Sequence, residues 1–426
     1  MTSDEAEARA SWAALLEPHL HHALTASGSY TDTDTAAHLA FFRDHVCSWL
    51  GRAPVAVPPD LRPASQPAYQ PAFPSALTCD ATPLEISYSW KRGGNGPKKA
   101  RVRYVVDVMP ADGTPGRPAS LAAAQRALDG LAAHQTGYRI DMLPDLWAAV
   151  TTRLAAWEQT AHLPGCGLCS PSSTFVGFDL ASAEARGKLY WLLPACLPSQ
   201  ELLELLDDVL GVLPGFGAHW TEIRRYLGSH LGSSAGGTLR PRMLSIDATR
   251  YPSPRLKLYS RCHFSADAPF AAVGDALSLG GAIPQPPYSR SHYARLWAGV
   301  RDWYRQLPQL DLPQQRYCMV VHDMHDIHNI HCIRHIDQVK PIAGMLTSKL
   351  YWFCHQLPGR DARVIDHLLA DFSEPAAFFQ RQIQDGHFSS ASSFIREIGL
   401  AQREDQVEVA AYVSPALFSP PPTIAS

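Results

Sequence analysis

Four segments of this 426-residue chain place cations beside a tyrosine: Arg101 and Arg103 with Tyr104, Lys188 with Tyr190, Arg255 and Lys257 with Tyr259, and Lys349 with Tyr351. A fifth, near the end, repeats the tyrosine alone as Tyr412. Side chains at i and i+2 of a strand share a face, so Lys188 and Tyr190, or Arg255, Lys257 and Tyr259, project together while Leu189, Leu256 and Leu258 project from the other side. Lysine and arginine converging on one point suit a diphosphate or triphosphate, whose oxygens they neutralise and hydrogen-bond. Tyrosine faces suit a cation, through the ring quadrupole. An allylic diphosphate makes both demands at once, because it separates into a diphosphate anion and an allylic carbocation. The chain has no DDxxD run to clamp a diphosphate through magnesium, so the cationic side chains stand where that metal would.

Glu85, in PLEISYSW, adds an acid to an aromatic strand that carries Tyr88 and Trp90. A carboxylate there can accept a hydrogen bond from an indole N–H and raise the nucleophilicity of the ring. It can equally be a strand glutamate paired with a lysine or arginine across a hairpin. The more conspicuous stretch is HDMHDIHNIHCIRH, residues 322–335, with five histidines. On a helix, steps of three fan the imidazoles over half the circumference; on a strand they alternate faces. Only His331 and His335 have the i, i+4 spacing of a helical metal pair, so no metal site is assigned. The lone CxxC of Cys166 and Cys169 reads as an ordinary Gly-Cys turn.

The elements that must position these residues follow from periodicity. Trp12, Leu15, Leu16 and Leu20, then Leu39, Phe41, Phe42, Val46 and Leu50, recur at helical steps, and a proline-rich connector follows at 53–76. Alternating or β-rich runs at 84–90, 100–108, 173–180, 187–194, 242–249, 254–261, 316–321, 348–353 and 407–413 read as strands, mostly paired in hairpins. Helical patterns at 120–135, 146–157 and 197–213 lie between them. Strands that are polar on one face and aliphatic on the other, separated by helices, describe a closed α/β sheet with a polar interior and an outer helical layer.

The totals exclude other classes. A net charge of −3 gives no reason to expect nucleic acid or an anionic membrane as partner, and no run reaches the length of a membrane span. The amino terminus is acidic where a signal peptide is basic, and nine scattered cysteines fit reduced thiols, so a cytoplasmic protein is expected.

In combination and order, PLEISYSW, RVRYVVDV, GKLYWLLP, RMLSID, PRLKLYS, SKLYWF and AAYVSP resemble the dimethylallyltryptophan synthase family of aromatic prenyltransferases. The resemblance implies one domain over 1–426 with the αββα prenyltransferase barrel, a closed antiparallel β-barrel of about ten strands within a ring of helices. In that frame 1–75 are N-terminal helices and connector, 322–347 an inserted histidine-rich segment at the barrel rim, and 417–426 a flexible tail. It implies transfer of a dimethylallyl group from its diphosphate to the indole of tryptophan or a derivative, by a monomer or homodimer. No cofactor is required, and magnesium or calcium is at most stimulatory.

Residue by residue, the resemblance gives Glu85 the indole N–H and makes Glu85 and Lys188 catalytic. The diphosphate falls to Arg103, Lys188, Arg255, Lys257, Lys349 and Arg403, with Arg101 as an alternative to Arg103. The cation shield is Tyr190, Tyr259, Tyr351 and Tyr412. Arg242 takes the carboxylate of an amino-acid acceptor, and Leu77 lines the acceptor's place. Members that alkylate indole C4 carry a lysine where this chain has Thr174 and Phe175, so the final base is unassigned. A cyclic dipeptide, tyrosine or another phenol is the alternative acceptor; a histidine-rich metal protein is the alternative of a different class.

Overall fold

The runs around LEISYSW and RVRYVVD form an antiparallel pair, β3 (Leu84–Arg92) and β4 (Arg101–Asp107), with Glu85 opposite Val105 and Ser87 opposite Arg103. Ahead of them lie two helices, α1 (Ser3–Ser27) and α2 (Asp32–Asp44), and two short strands, β1 (Val55–Ala56) and β2 (Tyr69–Gln70). A reciprocal capping box starts α2: Thr31 Oγ1 accepts from Asp34 N at 3.1 Å, and Thr31 N donates to Asp34 Oδ2 at 3.0 Å. This computed structural model describes residues 3–58, 60, 68–92, 99–114, 116–133, 139–141, 143–161, 166, 168–182, 184–213, 215–230, 238–247, 249, 254–263, 269–284, 293–294, 297–298, 317–325, 346–354, 365–366, 369, 372–387, 394–403 and 406–418.

The chain divides into two packed units, one of 1–89, 99–192 and 412–426, the other of 90–98 and 193–411. In the first, α3 (Arg117–Ala133), β5 (Arg139–Asp141), α4 (Pro144–Ala161), β6 (Thr174–Leu180) and β7 (Glu184–Leu192) complete the strand order β5-β7-β6-β4-β3. All of these neighbours are antiparallel except the short β5 beside β7. The aliphatic face of β7 turns to the helices. Leu189 and Trp191 are buried; the Trp191 ring stacks on Trp147 of α4 at 4.8 Å, and its Nε1 donates to Thr151 Oγ1. Each such large apolar side chain contributes roughly 2–3 kcal/mol by leaving water.

In the second unit, α5 (Ser199–Leu210), α6 (Gly217–Ser229), β8 (Thr238–Asp247), β9 (Arg255–His263), α7 (Phe270–Ser278), β10 (Tyr317–His325), β11 (Leu346–Phe353), α8 (Ser373–Gln384) and β12 (Ile395–Arg403) follow, and β13 (Gln406–Val413) comes last in the chain. Strands β8 to β12 form an antiparallel meander in chain order. Its aliphatic face carries Leu244, Leu256, Leu258, Val320 and Leu350, all buried. In α5 the leucine pattern buries Leu202, Leu203, Leu205, Leu206 and Leu210 on one broad face.

One expectation changes at the elements. Strand β10 runs on to His325, so His322 and His325 are strand residues and not part of a rim loop. They leave opposite faces, as steps of three require: His322 is buried with its Nε2 3.1 Å from Ala276 O of α7, while His325 lies opposite Arg255. Helices α6, α7 and α8 and strand β12 were not read from the sequence. Residues 326–345, which hold His328, His331 and His335, lie outside the described residues, as do most of the KRGGNGPKK turn and the tail beyond 418. No helix among the described residues is long and apolar enough to cross a membrane.

Candidate active site

In the first unit the polar face of β4, β6 and β7 gathers two of the expected diphosphate ligands on one acid. Asp179 sits directly opposite Arg103, with an oxygen 2.9 Å from Arg103 Nε, and its other oxygen is 2.8 Å from Lys188 Nζ. The lysine contact is direct; the arginine contact is an ion pair without good hydrogen-bond alignment. The three side chains are only 10–18% exposed, so one carboxylate fixes two cations in a poorly hydrated place. Arg101 shares the strand face of Arg103 but is exposed at the strand's start, which favours Arg103 as the ligand.

Tyr190, two residues past Lys188, lies over a glycine. A Cβ on Gly177 would stand 3.1 Å from the Tyr190 ring and 3.1 Å from Val105 Cγ2, so the missing side chain is the space the ring uses. Glu85 is buried at 8% exposure, on the face that Ser87 and Arg103 share. Leu77 is half-buried in the preceding loop, its N–H held by Ser75 Oγ at 3.0 Å. Tyr412, on β13, is half-buried.

The second unit repeats the device with two acids. Asp247, opposite Arg255, binds both Arg255 Nη2 and Lys257 Nζ. Asp323, opposite Lys257 and fully buried, is 3.3 Å from Lys349 Nζ and 4.0 Å from Arg255 Nη1. Tyr259 and Tyr351 follow their cations by two residues, and their rings meet at 6.2 Å although β10 runs between their strands. Strands two apart in a flat sheet are roughly 9.6 Å from one another, so this face is concave. Tyr351 also lies over a glycine: a Cβ on Gly399, directly opposite, would come within 2.7 Å of its ring.

Arg242 sits in a register shift between Pro241 and Met243, a bulge that re-aims it, and its carbonyl accepts from Leu193 N at 2.8 Å. Arg242, Arg261 and Arg240 surround His263; burial first, then these three charges, push its imidazole down to about 4. That neighbourhood favours an added carboxylate. Arg240 is spoken for, donating to Ala195 O and Leu197 O. The backbone of Arg403 ends β12, but its side chain lies outside the described residues.

The three acids are not among the residues that the cation and tyrosine pattern singles out. Asp179, Asp247 and Asp323 each occupy a strand position whose parity matches the cations, so alternation alone could have placed them; Asp323 lay hidden among the histidines.

A family model described as tryptophan dimethylallyltransferase matches residues 8–381. The indole prenyltransferase tdiB of Emericella nidulans is 28% identical over 284 residues, which is 64% of this chain and 61% of that protein. The chain thus matches about three fifths of the length of its first curated relatives. The crystal structure of AnaPT from Neosartorya fischeri superposes with a TM-score of 0.69 at 15% identity, over 99% of this chain and 96% of that one. The ternary complex of the prenyltransferase PriB with L-tryptophan and dimethylallyl thiolodiphosphate does so at 0.63 and 18%, over 96% and 98%. The fold is that of the αββα prenyltransferase barrel, and the ten longer described strands agree with the number expected. This chain belongs to the tryptophan dimethylallyltransferase family.

Proposed function

We propose that this protein transfers a dimethylallyl group from dimethylallyl diphosphate to an aromatic ring, with tryptophan or a tryptophan derivative as acceptor and without a metal ion. The observation that carries the reading is the repeated unit of a poorly hydrated acid fixing two cations, with a tyrosine two residues along the same face. Diphosphate needs cations already in place; the acids supply that order, and preorganised charge stabilises the leaving group as the C–O bond ionises. The rings of Tyr190, Tyr259 and Tyr351, each set over or against a neighbour by close packing, shelter the allylic cation from water together with Tyr412. Glu85 accepts the indole N–H, so the ring is held with its π-face to the cation. Arg242 holds the acceptor's carboxylate. Binding of L-tryptophan and a dimethylallyl thiolodiphosphate by PriB supports this acceptor and donor.

The test is incubation of the full chain with dimethylallyl diphosphate and a panel of L-tryptophan, tryptophan-containing cyclic dipeptides, L-tyrosine and simple phenols, in excess EDTA. The expected result is a prenylated tryptophan whose rate the chelator leaves unchanged. No product with any acceptor refutes the transferase reading; loss of turnover with EDTA, restored by metal, refutes its metal independence.

A further inference from the structure

Strand β12 presents one more acid on the concave face of the second unit. Glu397 shares its strand face with Gly399, and Gly399 stands directly opposite Tyr351. Glu397 itself stands opposite Phe353. It therefore lies one same-face step, about 7 Å of strand, beyond the tyrosine row on the side away from Lys349. Along β11 the order on this face is Lys349, Tyr351, Phe353: anion ligand, cation shield, then the level of Glu397.

The curvature of the sheet brings Glu397 inward. Arg261 on β9 acts electrostatically on Glu397, although β10 and β11 run between their strands. In a flat sheet those strands would be roughly 14 Å apart, so their side chains converge over the concave face. Arg261 stands opposite Met319, in the row of Tyr351 and Gly399. On β9, Arg261 is the charged group that acts on Glu397, with His263 next along the same strand face; β10 and β11 bring the uncharged Met319, Tyr351 and Phe353, and β13, on the other side of β12, carries Glu408 and Tyr412. The Glu397 side chain keeps partial accessibility while burial pushes its carboxyl up to about 7, against the opposing pull of Arg261. A carboxylate near neutrality, desolvated yet reachable, is suited to taking a proton in the pH range where enzymes work.

We propose that Glu397 is the proton acceptor that completes the alkylation. This rests on the transferase reading above. Once the allylic carbon has bonded to the ring, the C–H bond at that ring carbon breaks, its electron pair restores aromaticity, and the proton passes to a Glu397 oxygen. Diphosphate leaves as the anion held by the cations, so charge and atoms balance without another reactant. The departure at Thr174 and Phe175, neither of them a base, leaves this task open in the first unit.

The experiment compares wild type, Glu397→Gln and Glu397→Asp with dimethylallyl diphosphate and ring-deuterated L-tryptophan or L-tyrosine, whichever the wild type prenylates. In wild type, loss of the ring proton follows the slow step and the isotope effect on kcat is close to unity. In Glu397→Gln, kcat falls about 10²- to 10⁴-fold, KM changes far less, and a primary isotope effect above about twofold emerges as proton loss becomes limiting; Glu397→Asp recovers part of the rate. A structural role would lower the rate without creating the isotope effect, and that result overturns the proposal. So does Glu397→Gln within threefold of wild type. Should Glu397→Gln lose its circular dichroism spectrum, the isotope effect in Glu397→Asp decides alone. Wild type that prenylates neither acceptor refutes the transferase reading, whereas an active wild type with an indifferent Glu397 refutes this assignment only.

Discussion

Lys188 and Arg103 meet on one carboxylate, that of Asp179, at 2.8 and 2.9 Å, with no side chain of the three more than 18% exposed. Two poorly hydrated cations on one acid give this group of three side chains a net positive charge, which is the complement of an incoming diphosphate.

Asp179→Asn tests that relation. Removing the acid leaves two poorly hydrated cations facing each other, and stability should fall by about 2 kcal/mol, less than for a fully buried pair because all three groups touch some water. Inorganic diphosphate should then raise the melting temperature of the variant more than that of wild type, because the ligand replaces the lost counter-charge. Turnover should drop about tenfold, since Lys188 and Arg103 are no longer aimed. A diphosphate shift smaller in the variant than in wild type would contradict the arrangement.

Gly399→Ala tests the tyrosine shield. Its Cβ would come 2.7 Å from the Tyr351 ring, so the ring must move, whereas the same change at Gly177 meets Tyr190 only at 3.1 Å. Displacing Tyr351 opens the cation to water. We expect Gly399→Ala to lose about tenfold in kcat, some 1.4 kcal/mol of transition-state stabilisation, and to release free dimethylallyl alcohol beside the prenylated product. Gly177→Ala should do the same more weakly. Chromatography of both products against consumed diphosphate ester measures the leak, and an unchanged ratio in Gly399→Ala would place the shield elsewhere.

Both glycines show where sequence reading stops. Alternation places Lys188 with Tyr190 and Lys257 with Tyr259 on one face, because a period of two is local to each strand. Which residue lies under Tyr351 depends on the register of β11 against β12, and β12 itself was not read: IREIGLAQR mixes charge, glycine and aliphatics without alternation clear enough to distinguish it from a loop. Asp323 was missed for the opposite reason. By its β-rich pattern its strand ends at Val321, because the repeating histidines make HDMH resemble part of an inserted segment, and that pattern puts the partner of Lys349 in a loop. The family resemblance added what no local pattern held, the expected role of Arg242, and it chose between the two readings that the strand alone leaves open for Glu85.

Arg242→Ala tests the acceptor. If the guanidinium holds an amino-acid carboxylate, KM for L-tryptophan should rise by about tenfold to a hundredfold, the worth of one charge-assisted contact, with kcat nearly kept. Tryptamine, which lacks the carboxylate, should lose nothing. Steady-state kinetics on the two acceptors decide it: an indifferent L-tryptophan KM removes the amino-acid reading and turns the choice to a cyclic dipeptide or a phenol.

The histidines yield a prediction about stability. Burial pushes His322 from 6.5 down to about 4, against the help of its bond to Ala276 O and of Asp323. The folded chain therefore excludes a proton that the unfolded chain binds below 6.5, and the stability this neutral imidazole confers is complete above 6.5 and lost as pH falls towards 4. Asp107 works the other way. It accepts from Ser75 and Ser172, and burial pushes it from 3.8 up to about 6, so the folded state keeps a proton the unfolded state has released, and that contribution shrinks as pH rises from 3.8 to 6. The two slopes oppose each other across most of the same window. Urea unfolding at pH 4.5 and 7 should show His322→Leu losing about 2 kcal/mol less than wild type on acidification, and Asp107→Asn losing more. Parallel acid losses in all three proteins would mean that neither group holds its folded-state protonation against the solvent.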